Sequence, residues 1–184
     1  VVVVVAVVLF VVSVGSYVTW TAGRLDRLTA RVDAAWSALD AQLVRRAAAA
    51  GDLAAHLRRQ RLVAEETAKA LQYAAVAARD ATERDREARE NDLSRAIRTV
   101  LDEAGSRTPK TEALATELRT SGTRVMLARQ FYNDAVRDNR NRRRRWLPRL
   151  LTVRHRDEPV RGFFEIDDAP DAAVSFPAPG PIVA

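Results

Sequence analysis

From Val1 to Val12 every position is apolar, and after Ser13 the segment from Val14 to Trp20 stays uncharged; the first charge is Arg24. The run shows neither the 3.6-residue period of a surface helix nor the alternation of a half-buried strand. About 20 residues of helix span roughly 30 Å, the thickness of a bilayer core. Residues 1–22 therefore read as a transmembrane anchor, with Tyr17 and Trp20 placed in an interfacial aromatic belt. The alternatives are a cleaved signal, which normally carries basic residues ahead of a shorter apolar stretch, and a core helix or strand.

Beyond the run the pattern becomes helical. Leu25, Leu28, Val32, Trp36, Leu39, Leu43 and Ala47 recur every three or four positions and predict a helix over about 23–59. Only Gly51 interrupts it, as a candidate bend, and no strong breaker separates it from the anchor, so one helix can leave the bilayer and enter the domain. A second stretch over about 62–104 carries Leu62, Leu71 and Val76, then Leu93, Ile97, Val100 and Leu101. Its middle, residues 79–92, is dominated by charge: either a solvated helix or a break. Gly105 and Pro109 mark a connector. The last helix, about 111–145, has a stripe of Leu114, Leu118, Val125, Ala128, Phe131 or Tyr132, and Ala135, and Pro148 ends it.

Short connections imply antiparallel neighbours. The expected fold is all-α: an N-terminal transmembrane helix, then an antiparallel up-and-down bundle over 23–151 of three long helices, or four if 79–92 breaks, then an acidic, Pro-rich tail over 152–184. The expected core includes Trp36, Leu39, Leu43, Phe131 and Tyr132.

Composition adds one feature. The net charge is +6, but between Arg137 and Arg156 nine arginines face a single aspartate, so the rest of the chain is slightly acidic. Arg140, Arg142, Arg143, Arg144, Arg145, Trp146 and Arg149 form the candidate binding segment. Cations at a helix C-terminus are favoured electrostatically, and Glu165, Asp167, Asp168 and Asp171 can neutralise part of the run. Docking to an anionic lipid surface or an acidic protein is the functional alternative; nucleic acid is disfavoured because no recognition helix accompanies the run. In an upright three-helix bundle the last helix would leave the membrane again, and its basic end would lie too far away to touch the anchoring bilayer; a bundle lying flat, hinged at Gly23, would restore contact.

No catalytic constellation is present: no glycine-rich phosphate loop, H-E-x-x-H or G-x-S-x-G. There is no cysteine, which excludes disulfides and thiol catalysis without fixing a compartment. Three residues before His56 and His155 stand Leu53 and Thr152, so the Glu-x-x-His pairs of a di-metal bundle are missing. No metal, cofactor or catalytic residue is expected. Asp33, Asp40, Tyr132 and Asn133 lie beside the core stripes and are expected to form a buried polar network between first and last helices. Arg24, Arg27 and Arg31 follow the anchor, which by the positive-inside rule places the domain in the cytoplasm.

Two segments are specific enough to suggest a family. Residues 31–37, Arg-Val-Asp-Ala-Ala-Trp-Ser, followed by 39–47, resemble the first long helix of the LemA family, and 129–136, Arg-Gln-Phe-Tyr-Asn-Asp-Ala-Val, resemble its last-helix motif. Trp146-Leu147-Pro148 and Phe163-Phe164-Glu165 are similar to its downstream aromatic-Pro step and FFE-like end. The chain departs from the family at Gly51, where an Ile-Pro-Asn-like step is usual, and in the more basic Arg142–Arg145 run. The resemblance implies one N-terminal membrane helix, an up-and-down bundle and no established enzymatic activity. The expected function is a non-enzymatic scaffold or adaptor at the inner face of a bacterial membrane; the alternative is an anionic-lipid surface sensor acting through Arg142–Arg145. Homo-oligomerisation stays open.

Overall fold

In the computed structural model, residues 2–104, 108–146 and 161–166 are described; within the helices the side chains of 18, 19, 21–26 and 142–146 lie outside the description. Among the described residues the regular structure is all helix: α1 (Val2–Gln60), α2 (Glu65–Arg79), α3 (Arg86–Glu103) and α4 (Pro109–Trp146). α1 runs unbroken through Gly15, Gly23 and Gly51. Its length, at 1.5 Å per residue, is about 90 Å. No bend is needed at Gly51, where α2 passes close enough that an added Cβ would lie 3.7 Å from the Gln72 amide nitrogen.

α1 stops by backbone geometry. Arg61 adopts a left-handed φ of 52°. Its N–H donates to the Arg58 carbonyl at 3.2 Å, and the Leu62 N–H reaches the Leu57 carbonyl at 3.1 Å. This is the paired C-terminal cap in which glycine usually holds the left-handed position. Replacing Arg61 with Gly removes the Cβ strain and is expected to stabilise the protein by roughly 1 kcal/mol; thermal unfolding checks it, and a lower midpoint would refute it. The chain then enters α2 with the Ala64 N–H donated to Glu103 Oε1 at 2.6 Å. That bond, helped by Thr67, holds the Glu103 carboxyl below its ordinary range.

The charged middle of the expected second helix does break, at residues 80–85. Arg86 shows why. Its guanidinium donates to the Ala78 carbonyl at 2.6 Å and the Arg79 carbonyl at 3.4 Å, satisfying acceptors at the end of α2 that lack helical partners. Its other nitrogen pairs with Asp40 on α1. One side chain thus caps α2, starts α3 and ties the corner to α1.

The break changes the direction of the last helix. α2 returns along α1, with Gln72 beside Gly51. α3 climbs again, from Arg86 at Asp40 to Glu103 at Ala64. α4 therefore descends, from Thr111 at His56 to Asp138 at Arg31. With three helices the basic end of the last would point away from the apolar end of α1; with four it points back towards it. The expected separation between the basic run and the anchor is corrected accordingly.

The core has two storeys. The upper joins α1, α2 and α3 through Leu53, Leu57, Leu71, Leu93 and Val100, with Leu118 from α4. The lower joins α1 and α4 through Val32, Leu39, Leu43, Val125, Tyr132 and Val136, closed by Phe164 and Ile166. Leu39 and Leu43 are fully buried, and Trp36 packs against the lower storey half-buried. Phe131, expected in the core, is 71% exposed, whereas Tyr132 is 2% exposed. Neighbours on a helix point about 100° apart, so only one of them can face α1.

Candidate functional site

The most elaborate polar arrangement lies in the lower storey, where Arg161–Ile166 docks as a non-helical segment against α1, α4 and the start of α3. Side chains grip its main chain almost residue by residue. Arg140 donates to the Arg161 carbonyl at 3.3 Å and Tyr132 to the Gly162 carbonyl at 2.9 Å. The Asn133 amide accepts the Phe164 N–H at 2.9 Å and donates to the Phe164 carbonyl at 3.1 Å. Glu87 accepts the Glu165 N–H at 2.9 Å, and Arg129 donates to the Ile166 carbonyl at 2.8 Å. A buried main chain must find such partners; here helical side chains do the work of a neighbouring strand.

Side chains of the segment complete the fit. Phe164 meets Trp36 edge-on at 5.7 Å, and Trp36 lies 5.4 Å from Tyr132. Arg161 covers the Trp36 ring at 5.2 Å and pairs with Asp33 at 3.2 Å and Glu83 at 2.8 Å. Burial pushes the Tyr132 phenol above its ordinary pKa, which keeps it protonated as a donor. The expected network between first and last helices is thus rearranged: Asp33, Tyr132 and Asn133 reach the 161–166 segment, and Asp40 reaches α3. Residues of 31–37 in α1, of 129–136 in α4 and of 161–166 thus meet at this one place. Chemically, the arrangement holds a peptide.

A second polar cluster sits between α1 and α3. Arg46 pairs with Glu90 at 3.2 Å and donates to Ser94 at 2.7 Å, and Glu90 is fully buried. His56 lies 3.1 Å from the Thr111 hydroxyl, a buried contact between α1 and α4. Among the described residues no group of His, Asp or Glu is arranged to hold a metal ion. An open groove between α1 and α4 is lined by Arg45, Asp52, Thr116, Glu117 and Arg124.

The other sequence-predicted residues separate. Every residue from Val2 to Tyr17 is exposed, as is Trp20. Arg140, expected to face a partner, is half-buried, bonded to the Arg161 carbonyl and stacked 4.5 Å over the Phe163 ring. The side chains of Arg142, Arg143, Arg144, Arg145 and Trp146 lie outside the described residues, as do Leu147, Pro148, Arg149 and all of 152–160 and 167–184. Among the described residues no helix is long and apolar enough to cross a membrane; the side chains described without interruption from Val2 end at Tyr17.

The sequence did not point to Arg46, Glu90, Arg129 or Arg161. In a chain with 30 basic residues a structural arginine carries no distinguishing mark. Only the alignment of Glu90 with the Leu93 and Ile97 face, three and seven positions on, gave a signal. No family model, curated protein or solved structure matches the chain.

Proposed function

We propose that this chain is a membrane-anchored, non-enzymatic scaffold of the LemA type, with residues 1–22 in the bilayer of a bacterial inner membrane and the bundle on its cytoplasmic side. The observation that carries the reading is α1 itself. Its first 16 described residues are exposed on every side, and the same helix continues without a break as the spine of both core storeys. A helix apolar all round needs an apolar surrounding, and this one projects from the bundle instead of entering it. Val18 and Thr19 extend the uncharged run to Trp20, a length that matches a bilayer core of roughly 30 Å. Arg24, Arg27 and Arg31 give the orientation. A scaffolding role is favoured because, among the described residues, the most elaborate polar arrangements hold helices together or grip the 161–166 segment.

The test is fractionation of the full chain expressed in bacteria. It is expected to stay with membranes through alkaline carbonate extraction, and Val8→Asp with Val11→Asp is expected to release it. Because the chain has no cysteine, Lys110→Cys provides a unique label site. Labelling by an impermeant maleimide only after lysis of spheroplasts is expected; labelling of intact spheroplasts would overturn the cytoplasmic placement.

A further inference from the structure

The register of α4 against α1 is fixed at three heights. Thr111 meets His56, Tyr132 meets Trp36, and Asp138 meets Arg31. The two helices thus run alongside each other, nearly one residue for one residue, over more than half of α4. Continuing that register down the helical backbone places Arg145 to Arg142 level with residues 23 to 26 of α1. The anchor, residues 1–22, ends one to four residues lower, or about 2–6 Å along the axis. The zone beyond each face of a hydrocarbon core about 30 Å thick is roughly 5–8 Å deep and holds the headgroups. The most basic stretch of the chain therefore falls at headgroup height if the apolar run lies in the bilayer.

The other end of the bundle differs in charge. There Arg58, Arg59 and Arg61 stand among Glu65, Glu66 and Glu103. At the anchor end, the sequence of α1 carries Arg24 and Arg27, with Asp26 the only acid between residues 20 and 31, and the last turns of α4 carry four consecutive arginines. Favourable helix-end electrostatics acts within the last turn of one helix. It does not account for a second helix delivering its own arginines to the same level.

We propose that the Arg142–Arg145 run binds anionic phospholipid headgroups of the same membrane that α1 enters, so that the bundle stands on two points, one spanning and one electrostatic. The proposal rests on the membrane-anchor reading. Its ligand is a lipid phosphate, recognised by guanidinium groups through paired charge-assisted hydrogen bonds. Two contacts on separate helices fix the tilt of the bundle, which a single span does not.

The test uses the full chain in vesicles with a single introduced cysteine carrying an environment-sensitive fluorophore, quenched by lipids spin-labelled at the interface. Three sites are compared: Tyr17→Cys in the apolar run, Asn141→Cys beside the basic run, and Lys110→Cys at the far end. The label at 17 is expected to be quenched in neutral and anionic vesicles alike, and the label at 110 in neither. The label at 141 is expected to be quenched about twofold more in vesicles containing phosphatidylglycerol than in phosphatidylcholine alone. The excess should vanish in 1 M salt, where the screening length falls to about 3 Å. Changing Arg142–Arg145 to Gln should abolish the excess, and changing them to Lys should keep most of it, with the helical circular dichroism unchanged in both. Equal quenching at 141 in the two lipids, or an excess that survives in the Gln variant, would overturn the proposal while leaving the anchor intact. Absence of quenching at 17 would instead overturn the anchor, and this proposal with it.

Discussion

Replacing Arg46 with Ala is expected to lower the stability of the bundle by about 3–5 kcal/mol, the usual cost of leaving one member of a buried ion pair without its counterion. Glu90, fully buried, meets Arg46 at 3.2 Å, and the same guanidinium reaches Ser94 at 2.7 Å. The alanine variant takes the Arg46 charge and hydrogen bond away from a buried carboxylate, whose desolvation is then less compensated. Against a typical total of about 5–15 kcal/mol, that loss moves the thermal unfolding midpoint far. The companion variant Arg46→Met, Glu90→Leu, Ser94→Ala removes all three polar groups and should be neutral or more stable than the parent, since buried pairs often contribute less than well-packed apolar side chains of similar volume. A single variant within about 1 kcal/mol of the parent would show that water reaches the pair. The two variants together separate what the cluster adds to stability from what it adds to pairing α3 with α1 in one register.

Truncating Phe164 to Ala should undock the 161–166 segment and leave the upper storey folded. The ring is buried against Trp36, and removing a buried aromatic side chain costs about 3–5 kcal/mol. Six residues held largely by hydrogen bonds cannot absorb that loss, because each such bond contributes only about 1 kcal/mol net. The Phe164 and Glu165 amides, which donate to Asn133 and Glu87, are expected to exchange with solvent at least about 100-fold faster. Amides of Leu71 and Leu93 in the upper storey should keep their protection. Asn133→Asp provides an independent check, because a carboxylate can accept the Phe164 N–H but cannot donate to its carbonyl. Unchanged exchange at position 164 in both variants would mean that neither the Phe164 ring nor the Asn133 amide donor is needed to hold the segment.

Much of the fold is legible in the sequence because helix periodicity is local. The stripe containing Val32, Trp36, Leu39 and Leu43 marks the buried face of α1, and Gly and Pro mark the start of α4. The harder question was whether the charged middle of residues 79–92 forms a solvated helix or a corner. That depends on Arg86 finding the Ala78 and Arg79 carbonyls and Asp40 together, a contact between three elements that no local pattern encodes. The direction of α4 follows from that one corner, so a local ambiguity reversed a global expectation. Phe131 and Tyr132 show the same limit at smaller scale: adjacent aromatics on a stripe are interchangeable until the neighbouring helix selects one. At the docked segment, Phe163-Phe164-Glu165 and Asn133 stand out in the sequence, but their pairing spans about 30 residues and had no signature.

The two-storey core also sets an order of assembly. The upper storey can close soon after α3 is made, because its helices are consecutive and their loops are short, and such local contacts form early. The lower storey cannot. The face of α1 bearing Val32, Leu39 and Leu43 has no partner until Val125, Tyr132 and finally Phe164 have been synthesised. During translation the chain therefore holds a nearly closed cap, lacking Leu118 of α4, at one end and an open apolar seam at the other. That seam begins just beyond the uncharged run, and its closure waits on the last residues to dock.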